Sequence, residues 1–266
     1  MKEERKILDF KINLGNYKSF IEHIVSLAKR RSSSVICVAN VHMFIEAFRD
    51  KQFLKLLKEA DIVTPDGRPL VWSLRLLYGI KQDRVCGMDL LPDLLTRLMQ
   101  EQLPVYFLGG SEELLEQSEI FLSKHYSALK IAGMASPPYR PLSDLENQEI
   151  AEDINRSKAA LVFFVLGCPK QEKLMAALRG KVHATMIGIG GALPVMIGEK
   201  RRAPKWMQLY GFEWLFRFMQ EPRRLFKRYT STNFFFLYLI SKEIVSRRIV
   251  RRRSFINNEG FKIGKQ

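Results

Sequence analysis

Four short stretches carry the residue types that group-transfer chemistry needs, and each follows an apolar run. The first is Val38-Ala39-Asn40 and the second is Thr64-Pro65-Asp66-Gly67-Arg68-Pro69. Pro-Asp-Gly reads as a turn, with Pro setting φ, Asp bonding its own backbone and Gly taking a positive φ. An Asp at the end of a parallel strand is also where a general base sits, so the two readings of Asp66 are compatible. The third stretch is Asp83-Arg84-Val85-Cys86-Gly87-Met88-Asp89. It reads as a loop ending in an N-capping Asp89. Arg84 in it is a candidate phosphate clamp, because a planar guanidinium meets two phosphate oxygens at once. The fourth is Gly167-Cys168-Pro169-Lys170-Gln171-Glu172, where Gly and Pro end a strand and open a helix. A helix N-terminus facing a ligand crevice favours phosphate. Gln171 and Glu172 fall in its first turn, within reach of a sugar or diphosphate.

Other chemistries lack their motifs. Gly188-Ile189-Gly190-Gly191-Ala192-Leu193 ends in Leu where a dinucleotide loop needs Gly, and no GxxxxGK[ST] occurs. Both absences argue against NAD and ATP enzymes. There is no Asp-x-Asp and no His pair at helical spacing, so nothing supports a metal site. Of His23, His42, His125 and His183, only His42 lies beside a candidate site. Cys37, Cys86 and Cys168 form no CxxC, which excludes a disulfide scaffold and suggests a reducing compartment.

These loops need a sheet to hold them. Candidate strands are 34–39, 61–64, 105–108, 130–133, 160–166 and 184–189. They alternate with amphipathic stretches at 17–31, 42–58, 69–78, 89–102, 112–126, 143–157 and 170–178. Ser143 with Glu146 three residues on is a capping box. Such alternation predicts an α/β fold with a mostly parallel sheet and helices on both faces. Ligands of such sheets bind beyond the carboxyl ends of the strands. No internal repeat is convincing. After about residue 200 the alternation stops. A helix is expected over 203–227, with Trp206, Leu209, Tyr210, Trp214, Phe218 and Leu225 inward and Pro222 as a kink or break. A second helix is expected over 232–253. The division is a core, 1–200, and a C-terminal helical appendage, 201–266.

Charge follows the same division. Of 266 residues, 43 are Lys or Arg and 28 Asp or Glu, but residues 200–253 hold 15 basic and only 3 acidic ones. That local excess calls for an anionic surface partner. Hydrophobic residues make up 47% of the chain, enough for a sizeable core. Met1-Lys2-Glu3-Glu4-Arg5 leads into no apolar run, so no secretory signal is expected. The apolar block Phe234–Ile240 lies between Arg228 and Lys242, with only 13 residues between those charges, where a spanning helix needs roughly 20. The segment is expected to lie on a bilayer rather than cross it.

In this order, the four loops resemble those of the WecG/TagA/CpsF family of bacterial glycosyltransferases. The closest likeness is Lys200-Arg-Arg-Ala-Pro204, then Gly211-Phe-Glu-Trp-Leu-Phe-Arg217, then Gln220-Glu-Pro-Arg-Arg224 and Lys227-Arg-Tyr229. The likeness spans roughly 34–230. It implies a Rossmann-like core whose C-terminal appendage docks on the membrane and helps close the active site. The implied reaction moves a sugar from a UDP-sugar to a polyprenyl-diphosphate-linked saccharide, with inversion and without a metal or other cofactor. The implied place is the cytoplasmic face of the bacterial plasma membrane, as a peripheral enzyme of cell-surface polysaccharide biosynthesis. By position, Asp66 matches the candidate base, Arg84 and Gln171 match residues near the donor diphosphate, and Asn40 lies in the early strand-end motif. Arg217 and Arg224 match appendage arginines. Three departures stand out: Val38 for a common Thr, Leu193-Pro194 for Phe-Asp, and Lys227 for an Arg. The first two bear on sugar identity.

Two other classes compete. A nucleic-acid-binding protein would use the basic segment, but Phe234–Ile240 suits a headgroup boundary better than phosphates. A soluble sugar-nucleotide isomerase or dehydrogenase would need the missing dinucleotide loop. The expected partners are therefore donor, acceptor and an anionic membrane surface, with no nucleic acid; a homo-oligomer is left open.

Overall fold

The computed structural model describes residues 3–263, of which the side chains of Arg224, Lys227, Arg228 and 248–263 lie outside the described set. A short antiparallel hairpin, β1 (Glu4–Ile7) and β2 (Phe10–Asn13), comes first. Then follow α1 (Tyr17–Lys29), β3 (Val35–Ala39), α2 (Val41–Arg49), α3 (Lys51–Glu59), β4 (Ile62–Pro65), α4 (Arg68–Tyr78) and α5 (Gly87–Gln100). The second half runs β5 (Val105–Leu108), α6 (Glu112–His125), β6 (Ile131–Ala135), α7 (Asp144–Ser157), β7 (Leu161–Phe164), α8 (Lys170–Leu178) and β8 (Thr185–Gly188). Four helices end the chain: α9 (Ala192–Met196), α10 (Lys205–Tyr210), α11 (Glu213–Gln220) and α12 (Pro222–Ile263).

The six strands β3–β8 form one parallel sheet in the order β4-β3-β8-β7-β5-β6. This is the α/β architecture expected from the alternation. Because successive strand side chains point to opposite faces, β3 feeds two cores. Val35, Cys37 and Ala39 face one layer with Phe44, Phe53 and Met175; Ile36 and Val38 face the other with Phe20, Leu91 and Leu94. The hairpin flanks edge strand β4: Asn13 Oδ1 accepts from Val63 N at 2.7 Å, blunting an exposed edge.

The stretch expected as one helix over 42–58 is two. Asp50 is extended, and its carboxylate caps α3 by accepting from Gln52 N and Phe53 N at 2.9 and 3.0 Å. An Asp that can bond two free amides favours a new helix start over continuing the old one. The Ser143 capping box is present as expected.

The C-terminal segment also breaks differently. The expected helix over 203–227 is α10, α11 and the start of α12. Gly211, at φ 80°, ends α10 in the left-handed conformation. Pro222 breaks the stretch, one of the two outcomes expected of it, and opens α12. Of the inward positions expected there, Leu225 is buried and Phe218 half-buried, but Trp206, Leu209, Tyr210 and Trp214 are exposed. No further layer of the protein covers that side, among the described residues. Instead α12 seats Phe236, Leu239 and Ile240 in the core, with Phe236 edge-on to Phe44 of α2 at 5.1 Å. The apolar block is thus divided: those three face in, while Phe234, Leu237 and Tyr238 face out. Among the described residues, no helix is long and apolar enough to cross a membrane.

Candidate active site

The loops after β3, β4, β7 and β8 open into one cleft of about 490 Å³, roofed by α11 and α12. It is built from short backbone ties. Asp66 N donates to Ala39 O at 2.8 Å, so the β4 loop leans on the β3 loop. Val85 N donates to Pro65 O at 3.0 Å and Thr64 Oγ1 to Val85 O at 3.3 Å. The Asp83–Asp89 stretch is thereby stitched to the end of β4, which brings Arg84 beside Asp66. The Pro-Asp-Gly turn expected from the sequence does not form. Gly67 has φ −82°, in the extended region, and caps α4. The step is strand-to-helix and needs no left-handed residue. Asp89 is not an N-cap either: α5 starts at Gly87, and Asp89 lies in its first turn.

Asn40, Asp66, Arg84, Gln171 and Arg217 all line the cleft. Arg224 belongs to α12, but its side chain lies outside the described residues. Asn40 caps α2, its Oδ1 accepting from Met43 N at 3.2 Å. Asp66 is the titrating centre. Burial pushes its carboxyl up to about 6, against the downward pull of Arg84, the Cys86 thiol and Arg217 and with a smaller upward push from Glu213. Arg84 Nη1 donates to Glu213 Oε2 at 3.0 Å and Nη2 to Asp89 Oδ2 at 3.3 Å. Asp89 also accepts from Arg202. Arg217 Nη2 reaches Met88 Sδ at 3.6 Å on the cleft wall.

Gln171 is a strut as well as a wall. Its Oε1 accepts from Gly167 N at 3.0 Å and its Nε2 donates to Glu172 Oε1 at 2.7 Å. A Cβ on Gly188 would come within 2.5 Å of that Nε2, so β8 must end in glycine for Gln171 to lie there. Glu172, placed by the sequence within reach of a sugar or diphosphate, does not line the cleft. It is buried on the other side, lining a small void with Val35, Cys37 and Leu57. Burial pushes its carboxyl up to about 7, opposed by the Gln171 amide.

Three contributors had no role assigned from the sequence: Glu213, Trp72 and Tyr229, all on the cleft wall. Glu213 stood inside the quoted Gly211–Arg217 motif. Its partner Arg84 is 129 positions away, which no local pattern reveals. Among the described residues, no three His, Cys, Asp or Glu side chains converge as a metal-ligand set.

A profile of the glycosyl transferase WecG/TagA/CpsF family matches residues 5–250. The chain belongs to this family. It is a glycosyltransferase. Among its relatives is a protein of Bacillus subtilis (strain 168), 27% identical over 231 residues, covering 86% of this chain and 88% of that one. Another, of Bacillus spizizenii (strain ATCC 23059 / NRRL B-14472 / W23), is 27% identical over 208 residues, covering 77% and 79%. Both are named N-acetylglucosaminyldiphosphoundecaprenol N-acetyl-beta-D-mannosaminyltransferase.

Proposed function

We propose that this glycosyltransferase moves a sugar from a UDP-sugar to a polyprenyl-diphosphate-linked saccharide, with inversion, at the cytoplasmic face of the bacterial plasma membrane. The observation that carries the reading is the cleft itself: one part-buried carboxylate, Asp66, at the end of β4, with Arg84 and the α11 residue Arg217 beside it. An acceptor hydroxyl attacks the donor's anomeric carbon, and its proton passes to Asp66. The bond from that carbon to the diphosphate oxygen breaks, and its electron pair leaves with UDP. Arg84 and Arg217 stabilise the departing charge in a site partly shielded from water. Asn40 and Gln171 hold the donor side of the cleft. Arg224 is assigned to the same cleft by its place in the family motif. The names of the two relatives support a lipid-linked acceptor and make N-acetylmannosamine the first donor sugar to try.

The same proposal divides the chain into a catalytic core, 1–200, and a membrane-docking appendage, 201–266. Trp206, Leu209 and Tyr210 of α10, and Phe234, Leu237 and Tyr238 of α12, stand exposed at i, i+3, i+4 spacing. That spacing puts each triplet on one helix face. Exposed Arg201, Lys205, Arg223 and Lys242 lie on the same segment. Apolar faces with flanking cations suit the headgroup boundary of an anionic leaflet.

The test is UDP release from a panel of UDP-sugars, each offered with short-chain polyprenyl-diphosphate saccharides. Release that requires both substrates is expected. Transfer from a lipid-linked or nucleoside-monophosphate donor, with none from any UDP-sugar, would overturn the donor assignment.

A further inference from the structure

Glu213 opens α11 and reaches from the C-terminal helices into the cleft. Its Oε2 accepts from Arg84 Nη1 at 3.0 Å, and both side chains are about 15% exposed. Little water competes there, so the carboxylate is held in one orientation. Its other oxygen, Oε1, is buried and has no hydrogen-bond partner among the described residues. A buried carboxylate oxygen left unpaired is costly, and such atoms in native proteins are normally met by a donor. Among the described residues, the nearby guanidinium nitrogens with a partner point elsewhere: Arg84 Nη2 and Arg202 Nη2 to Asp89, and Arg217 Nη2 to Met88. A donor that arrives with the substrate would meet this oxygen.

Position says which part of the substrate. On the reading above, Arg84 meets the donor diphosphate. A group bonded to Arg84 on one oxygen sits one step from the β-phosphate, where the transferred hexosyl ring is attached. Hexosyl rings present hydroxyl and amide hydrogens, the donors that a carboxylate oxygen accepts.

We infer that Glu213 is a donor-sugar recognition residue: Arg84 holds its Oε2, and its Oε1 accepts a hydroxyl or amide hydrogen of the transferred sugar. The C-terminal helices then contribute to sugar choice and not only to docking. This inference rests on the proposed UDP-sugar reading.

The experiment compares binding of UDP and its β-methyl ester with binding of UDP-N-acetylmannosamine and UDP-N-acetylglucosamine, by calorimetry on the full chain. Removing the charge of Glu213 changes attraction for the diphosphate, and more so for UDP, whose free β-phosphate is more highly charged near neutral pH than the esterified one of a UDP-sugar, so the β-methyl ester of UDP, with the same charge as a UDP-sugar, is the reference ligand. The ratio of UDP-sugar affinity to methyl-ester affinity isolates the sugar contact. Glu213→Gln places an amide nitrogen where an acceptor was. It is expected to weaken the preferred UDP-sugar relative to the methyl ester of UDP by about tenfold or more, and to raise donor KM more than it lowers kcat. Glu213→Asp keeps the charge on a shorter arm, is the safer variant for folding, and is expected to give an intermediate ratio. A ratio unchanged in both variants, even with both affinities shifted together, would overturn the inference and leave Glu213 acting only through Arg84. Wild-type protein that binds UDP but neither UDP-sugar would also overturn it. Binding of neither UDP nor any UDP-sugar by the wild type would overturn the functional reading itself, and the inference with it.

Discussion

Asp66 feels burial on one side and two arginines on the other, and burial wins: its carboxyl sits at about 6. A base must be ionised to accept a proton, so turnover is expected to fall as pH drops through about 6. Asp66→Asn is expected to cut kcat by roughly 10²-fold or more with the fold intact. Near-normal turnover in a correctly folded variant would remove Asp66 from the mechanism. Glu172 offers a separate check. Its folded value of about 7 lies above the ordinary 4.5. A raised carboxyl contributes stability that is present below about 4.5 and lost as pH rises through about 7. Glu172→Gln removes that loss, worth about 3 kcal/mol at most by 1.36 kcal/mol per unit. The variant is expected to melt higher than wild type at pH 8 and at the same temperature at pH 4, by calorimetry. At this scale the sequence was readable where a residue's role follows from its loop. Asp66 and Arg84 both line the cleft, as strand-end loops should. Glu172 was misplaced because adjacent residues on a helix face different ways, and only packing shows which faces the ligand.

At the scale of elements, the β-branched, apolar runs disclosed all six strands of the parallel sheet to within a few residues. The hairpin β1–β2 escaped notice because its four-residue strands carry Lys and Arg and gain their stability from Asn13 and the edge of β4. The break at Asp50 was missed because a helical period continues across it, while the cap that causes it depends on side-chain geometry. The join of α12 to the core makes its own prediction. Phe236 is fully enclosed against Phe44. Phe236→Ala is expected to cost about 3 kcal/mol or more, in line with buried Phe truncations. Hydrogen exchange should then quicken along α12 before it does in β3. Unchanged exchange in α12 would mean that the helix is held by other contacts.

Over the whole molecule, the excess of positive charge in residues 200–253 and the exposed aromatic faces of α10 and α12 belong to one segment that also roofs the cleft. The sequence disclosed the charge and the aromatics but oriented Trp206, Leu209 and Tyr210 inward, because a 3.6-residue period reports an apolar face and not what covers it. Those three side chains do not line the cleft. Replacing all three with Ser is expected to release the protein from anionic liposomes while leaving turnover of short-chain, water-soluble acceptors within about threefold of wild type. Each cation near the surface adds only about 1 kcal/mol, so the aromatic loss dominates. Retained pelleting would assign docking elsewhere. The central claim, a direct displacement at the anomeric carbon with Asp66 as base, within a cleft shared by the sheet and the C-terminal helices, is tested most directly by the product's anomeric configuration. Nuclear magnetic resonance of the sugar transferred from an α-linked UDP-sugar should find a β linkage; a retained α linkage would contradict the account.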